Sequence, residues 1–276
     1  MGFARRDFAT SRPNPAVLRA TIAAMRDRRR EIDRRVAASR RRWRYIRRRT
    51  TVAAGVVIVV VVGLRQACAP DGGQGARWVA TARAPEVAAY AQPGDAKPTH
   101  VLPNPDQNGT ALVFLVDDDD ADGQWMPVYL PVRPNGTTGW IRARDVTLTQ
   151  TRYRITVDLS SRTLQVTHDG SVTLQTRVAV GTKDTPTPGG TYYITEVIAP
   201  PDPDTIYGPY VLGLSGYSTT LDSFEGRGQG VIGIHGTNDE SALGTRVSAG
   251  CIRVHNDIIT NMAKTIPLGT PVDLVP

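Results

Sequence analysis

Fifteen uncharged residues, Thr50-Thr-Val-Ala-Ala-Gly-Val-Val-Ile-Val-Val-Val-Val-Gly-Leu64, follow directly on the most basic stretch of the chain. Residues 1–49 hold 17 Arg against four acids (Asp7, Asp27, Glu31 and Asp33), a surplus of 13. The remainder of the 276 residues carries 16 basic and 22 acidic side chains. A basic tail is thus joined to a mildly acidic body, and this junction limits what the whole chain can be. Arginines massed before an apolar run hold that side in the cytoplasm. Within the tail, Val17, Ala20, Ala24, Ile32 and Val36 recur at helical spacing, so an N-terminal helix is expected. Arg blocks also bind phosphates without reading sequence. The topological reading explains the tail and the apolar run together, so anionic lipid contact is expected and nucleic-acid binding is not.

As a helix the run would span roughly 22 Å, short of a hydrocarbon core of about 30 Å. Extension to Ala69 reaches the needed length if Arg65 snorkels to the outer headgroups. Ala67-Cys68-Ala69 resembles a signal-peptide cleavage site, but Pro70 would then be the first mature residue. The 49-residue lead is also longer than a signal peptide carries. Residues 50–69 are therefore expected to be a retained single-pass anchor, with residues 1–49 cytoplasmic and the body extracytoplasmic. Cys68 lacks a lipobox before it, since Arg65 and Gln66 precede it.

Cys68 and Cys251 are the only two cysteines, too few for a disulfide framework, and their pairing is not expected. No Cys/His cluster has zinc-ligand spacing. The body starts after a linker at 70–75, Pro70-Asp-Gly-Gly-Gln-Gly75. Residues 76–150 read as short strands at high turn density: Ala111–Val116, Trp125–Leu130, Gly139–Ile141 and Val146–Leu148. That pattern suggests a small barrel. The order Phe-Leu-Val, acidic turn, Leu-Pro-Val-Arg-Pro-Asn-Gly, Gly-Trp-Ile resembles the bacterial SH3-like domains found beside wall enzymes. The acidic turn Asp117–Gly123 imitates half a calcium loop, but Tyr129 occupies the place of the bidentate Glu and strands replace the helices. A solvated hairpin tip is the expectation.

From Tyr153 the alternation is clear: Tyr153, Ile155, Val157 and Leu159 share one face, then Leu164 and Val166 follow a Ser-Ser-Arg turn. His168-Asp-Gly170 marks a second turn before Val172, Leu174, Val178 and Val180, so two meandering hairpins are expected. Tyr192–Val197 reads as a further strand. Residues 199–230 contain four Pro and six Gly with little periodicity, which predicts a long loop serving as lid or substrate wall. Val231–Ile234 is a short buried strand ending at His235. Asn256 or Asp257 is expected to cap a helix whose apolar face is Ile258, Ile259, Met262, Ala263 and Ile266.

Cys251 lies sixteen residues past His235, on a Gly-preceded segment just before that helix. A free thiol titrates near 8.5, so a neighbouring base is needed before much thiolate exists at neutral pH. An imidazole can take that proton and later return one to a leaving amine. Taken singly, a Cys and a His are more often an inert buried thiol and a satisfied core histidine. Here the surrounding residues weigh against that. Ile-His-Gly-Thr-Asn, then Ser-Ala-Gly-Cys-Ile-Arg-Val-His-Asn, closely resembles the signature of the L,D-transpeptidase (YkuD-type) catalytic domain. The similarity covers residues 151–276 and includes Tyr-x-Ile-x-Val-Asp near the start and Thr-Pro-Thr-Pro-Gly-Gly in the middle.

That resemblance implies a mainly β chain: a YkuD-type β-sandwich or barrel at 151–276 with a short helix after the nucleophile. It implies Cys251 as nucleophile, His235 as its base and the Gly236 carbonyl as the imidazole's orienter. Gly250 and Cys251 match the positions whose amides form the oxyanion hole. Arg253 and Asn256 match positions beside the nucleophile that bind substrate or brace the loop, Ser248 is expected to bind substrate, and His255 reads as structural. Many members carry His immediately before the Gly-Cys pair where this chain has Ala249. The implied reaction releases D-Ala from a peptidoglycan stem through a cysteine thioester and forms a 3→3 cross-link. No metal or organic cofactor is implied, and covalent inhibition by carbapenems is. Hydrolysis of the thioester, transfer to an envelope protein, and a non-catalytic wall-binding scaffold are the alternatives.

Overall fold

The computed structural model describes residues 75–117, 123–223 and 229–276. The expected basic tail (1–49) and membrane anchor (50–69) lie outside them, as does most of the acidic turn. Among the described residues no helix is long and apolar enough to cross a membrane.

Seven short strands come first: β1 (Arg77–Ala82), β2 (Glu86–Ala89), β3 (His100–Pro103), β4 (Val113–Leu115), β5 (Trp125–Tyr129), β6 (Thr138–Arg142) and β7 (Val146–Thr151). β1 pairs antiparallel with both β4 and β7, β2 with β3, and β5 with β6. Single bridges at Val116–Val128 and Tyr90–Trp140 link these pieces, so the pairing runs β7-β1-β4-β5-β6-β2-β3. The alternating burial of β5 and β6 turns Met126, Val128 and Ile141 inward. They meet Phe114, Val87 and Ala89 in one cluster of buried side chains. This is period-two patterning, with one face dry and one wet.

Ten further strands and a helix follow: β8 (Tyr153–Asp158), β9 (Thr163–His168), β10 (Ser171–Arg177), β11 (Val180–Gly181), β12 (Gly190–Ile198), β13 (Val211–Tyr217), β14 (Val231–His235), β15 (Arg246–Ser248), β16 (Ile252–Arg253), α1 (Asn256–Thr265) and β17 (Pro271–Val275). Eight of these strands form one sheet in the order β10-β9-β8-β17-β12-β13-β14-β16. The meander β8–β9–β10 is the double hairpin expected from the alternation. Asp158 organises its first turn by accepting from the Ser161 amide and the Ser160 hydroxyl, both at 2.7 Å. β17 returns from the end of the described chain and lies parallel to β8, between it and β12. Ile259 and Met262 on α1 are buried against the sheet's core.

Two expectations need correction. The segment 199–230 is not one long loop, because β13 occupies its middle. Leu212 through Gly216 are all buried, so this strand has no wet face and leaves no alternation to detect. Its glycines mark close approach: a Cβ on Gly216 would overlap the Tyr192 ring. The helix cap also differs. His255 holds the N-cap position without a capping side-chain bond, and Asn256 is the first helical residue. The Asn256 side chain is engaged elsewhere, as described below.

The described residues form one compact unit. Between the two larger cores, Val79, Val113, Leu115 and Tyr193 make a third small cluster. The Tyr193 hydroxyl is buried there and donates to the Tyr129 carbonyl at 3.1 Å. A phenol removed from water needs such a partner.

Candidate active site

β14 and β16 run side by side and parallel, with Ile234 opposite Ile252 and His235 opposite Arg253. His235 ends one strand and Cys251 immediately precedes the other. The pleat repeats every two residues, so Cys251 falls on the face that Arg253 shares with His235. The topology thus brings together two residues sixteen apart in sequence, both buried: His235 is 3% exposed and Cys251 9%.

The imidazole is held from both sides. Its Nδ1 lies 2.7 Å from the Gly236 carbonyl, which can only accept, so Nδ1 carries the proton and the lone pair resides on Nε2. The Tyr207 ring lies 5.1 Å from the imidazole, centroid to centroid. Burial pushes the His235 pKa down to about 4, against a weaker opposing pull from the Gly236 carbonyl. The Arg253 charge lowers it further and the Ile206 carbonyl raises it. At neutral pH His235 is uncharged and able to accept a proton.

Gly236 has no room for a side chain. A Cβ there would overlap Asn256 Oδ1 and come within 2.9 Å of Pro209 Cδ. Asn256 Oδ1 accepts from the Thr237 amide at 2.8 Å, so the first residue of α1 fixes the turn just past the histidine. Segment 206–209, expected as part of a lid, therefore touches the imidazole and its neighbour.

Cys251 sits at the end of a closed turn. The Ser248 hydroxyl donates to the Cys251 carbonyl at 2.6 Å and accepts from the Gly250 amide at 3.2 Å. Gly250 has φ +121, a conformation side chains rarely adopt. The Ser248 carbonyl in turn accepts from the Thr182 amide at 3.2 Å and the Thr185 hydroxyl at 3.0 Å. Ser248, expected to bind substrate, is 2% exposed, and its hydroxyl is engaged inside this turn. The Gly250 amide, expected in an oxyanion hole, is likewise turned toward Ser248. Burial raises the Cys251 thiol to about 11; the Gly233 backbone and the Arg253 charge pull the other way. At rest the sulfur is a thiol, not the thiolate a free ion pair would give.

Arg253 is half-buried, and its positive charge acts on both groups. Its Nε is buried with no hydrogen-bond partner, an unusual position for a guanidinium. His255 lies past this centre and pairs with Glu240 at 3.3 Å. Thr182 and Thr185 were not singled out from sequence. Their signal is the Thr/Pro/Gly loop, whose threonines reach the Ser248–Cys251 turn only across the fold.

The family model of the L,D-transpeptidase catalytic domain (YkuD) matches residues 152–274. YkuD of Bacillus licheniformis, which carries an L,D-transpeptidase name, is 37% identical over 124 residues, or 45% of this chain and 66% of that protein. YqjB of Bacillus subtilis, also named as an L,D-transpeptidase, is 34% identical over 128 residues, covering 43% of this chain and 68% of that one. The solved structure of an L,D-transpeptidase from Mycobacterium smegmatis aligns at 16% identity with TM-score 0.37, over 60% of this chain and 92% of that one. By the family model and these relatives, the chain belongs, through its C-terminal half, to the YkuD-type L,D-transpeptidase catalytic-domain family.

Proposed function

We propose that this protein is a peptidoglycan L,D-transpeptidase that forms 3→3 cross-links through a Cys251 thioester. The observation that carries the proposal is an imidazole whose Nδ1 is committed to the Gly236 carbonyl, on the strand beside the one that Cys251 opens. Nε2 is then the only basic atom of that ring, and a base of this kind is what a buried neutral thiol requires.

The sulfur attacks the carbonyl of the third, diamino-acid residue of a tetrapeptide stem while its proton passes to His235. The tetrahedral intermediate collapses when His235 returns that proton to the amine of the terminal D-Ala, which leaves. A thioester on Cys251 remains. The side-chain amine of a second stem attacks it, gives its proton to His235 and forms the new amide; the proton then returns to sulfur. The half-buried Arg253, whose charge acts on Cys251, supports a substrate-binding role, because a stem carboxylate would pair with an accessible guanidinium. Asn256, by contrast, already uses its carbonyl oxygen on Thr237. Segment 206–209 shields the imidazole from water, which would otherwise divert the thioester to hydrolysis.

On the same reading, residues 50–69 anchor the chain in a membrane and hold the body outside, where wall stems occur. Residues 76–150 form an SH3-like module. Mass spectrometry after mixing with a carbapenem tests the nucleophile: the full chain gains one covalent adduct and Cys251→Ala gains none. An unmodified wild-type chain would overturn the proposal. Incubation with tetrapeptide stems then separates outcomes, since cross-linked dimer supports transpeptidation and free tripeptide alone points to an L,D-carboxypeptidase.

A further inference from the structure

The turn between β5 and β6, Pro131-Val-Arg-Pro-Asn-Gly136, belongs to the N-terminal strands but bonds to the catalytic sheet. Arg133 donates to three backbone carbonyls: Ser218 at 2.8 Å through one terminal nitrogen, Leu221 at 3.3 Å and Gln229 at 3.1 Å through the other. Ser218 and Leu221 lie on the limb leaving β13, and Gln229 lies on the limb returning to β14. One guanidinium therefore ties both limbs of that connection at its neck. The same guanidinium sits 4.8 Å from the centre of the Tyr217 ring. Asn135 adds a two-way clasp with the Tyr217 backbone: its Nδ2 donates to the carbonyl at 2.8 Å and its Oδ1 accepts from the amide at 2.9 Å. The Tyr217 hydroxyl closes the circuit by donating to the Pro131 carbonyl at 2.7 Å.

The tied neck adjoins the nucleophile. The Ser218 hydroxyl lies 4.0 Å from where a Cβ on Gly250 would stand, and Ser218 is 1% exposed. That hydroxyl accepts from the Thr220 and Leu221 amides, at 3.3 and 3.1 Å, so Arg133 and Ser218 grip the same short bend. An arginine fork suits three converging carbonyls, and a lysine's single ammonium does not.

We propose that Arg133 and Asn135 are positioning residues supplied by the N-terminal strands, which fix the neck of the β13–β14 connection against the Gly250–Cys251 turn and so set the reactivity of Cys251. This rests on Cys251 being the nucleophile of the transpeptidase reading. The N-terminal strands are then part of the working enzyme and more than a spacer.

The test compares the full chain with Arg133→Ala, Arg133→Lys and Asn135→Ala in two measurements. The first is the first-order rate of carbapenem acylation, resolved from initial binding. Arg133→Ala is expected to slow the acylation step about tenfold with initial binding unchanged, because small misplacements near a reacting atom are costly in rate. Arg133→Lys is expected to fall between wild type and Arg133→Ala, and Asn135→Ala to slow acylation less than Arg133→Ala. The second is hydrogen exchange, expected to rise in segments 218–223 and 229–230 but not in α1. If Arg133→Ala does not fold, Arg133→Lys and Asn135→Ala carry the comparison. Wild-type exchange in those limbs, or a wild-type acylation step in both Arg133 variants, would overturn the proposal. Should the wild-type chain resist the carbapenem, the transpeptidase reading fails by itself. Iodoacetamide alkylation of Cys251, with the exchange data, still decides whether Arg133 governs the thiol.

Discussion

His235 ends β14 and Cys251 immediately precedes the neighbouring β16, yet the two residues are held by different parts of the chain. The imidazole bonds its own neighbour, Gly236, and the turn beyond it is fixed by Asn256, nineteen residues on. The nucleophile turn depends on Thr185, 63 residues back, and on the Thr182 amide. The turn past His235 is braced by the first residue of α1, whereas the Ser248–Cys251 turn is placed only when β11, β15 and β16 have come together. Their electrostatics differ as well. Burial keeps both groups neutral, but the Arg253 charge favours a thiolate and opposes an imidazolium. That cation therefore favours the charged form of one group and disfavours the charged form of the other.

The sharpest way to break this contrast is to remove each partner. Cys251→Ala is expected to abolish acyl transfer, at least about 1000-fold, while the folded state changes by about 1 kcal/mol or less. His235→Gln should also lose most activity yet still be alkylated by iodoacetamide at high pH. Loss of folding in Cys251→Ala, seen by circular dichroism, would show that the thiol is chiefly a core residue.

Acid offers the next largest effect. His235 has a folded pKa of about 4 against an ordinary value of 6.5. Its contribution is fully present above pH 6.5, because the fold keeps the neutral form, and is lost as pH falls through about 4. That amounts to about 3 kcal/mol at most. Urea unfolding at pH 7 and pH 4.5 should show this loss in wild type and a flatter response in His235→Gln. Equal slopes would mean the imidazole is not buried neutral.

Asn256→Ala leaves the buried Thr237 amide without its acceptor, at a cost of about 1–2 kcal/mol. Thr185→Val removes one side-chain bond to the Ser248 carbonyl, which keeps the Thr182 amide, so about 0.5–1 kcal/mol is expected. The informative readout is the split between them: Asn256→Ala should shift the pH dependence of activity, and Thr185→Val should lower the rate without shifting it. Smallest of all, Arg253→Met should raise the pH at which Cys251 is alkylated and ease protonation of His235. A downward shift of the alkylation profile would reverse the assigned role of that charge.

The local half of this site was legible in the sequence and the long-range half was not. Val231–Ile234 ending at His235, and the Gly-Cys pair before a helix, follow from burial and turn chemistry over a few residues. The meander β8–β9–β10 was equally readable, because each strand has one wet face. β13 escaped detection because both its faces are dry and Gly213 and Gly216 dilute its apolar run. Capping by Asn256 does not occur, because the bond its side chain makes is tertiary, to the Thr237 amide, in keeping with the bracing alternative. Thr182 and Thr185 looked like loop polarity, and only the β11–β15 pairing shows what they hold.

The position of β17 bears on when this chemistry can begin. Pro271–Val275 is the seam between β10-β9-β8 on one side and β12-β13-β14-β16 on the other. Before residues 271–275 clear the ribosome, the meander and the strands bearing His235 and Cys251 are separate pieces with an open edge between them. Cys251 precedes that seam by only 20 residues, and the sheet beside it is complete only once β17 docks between β8 and β12.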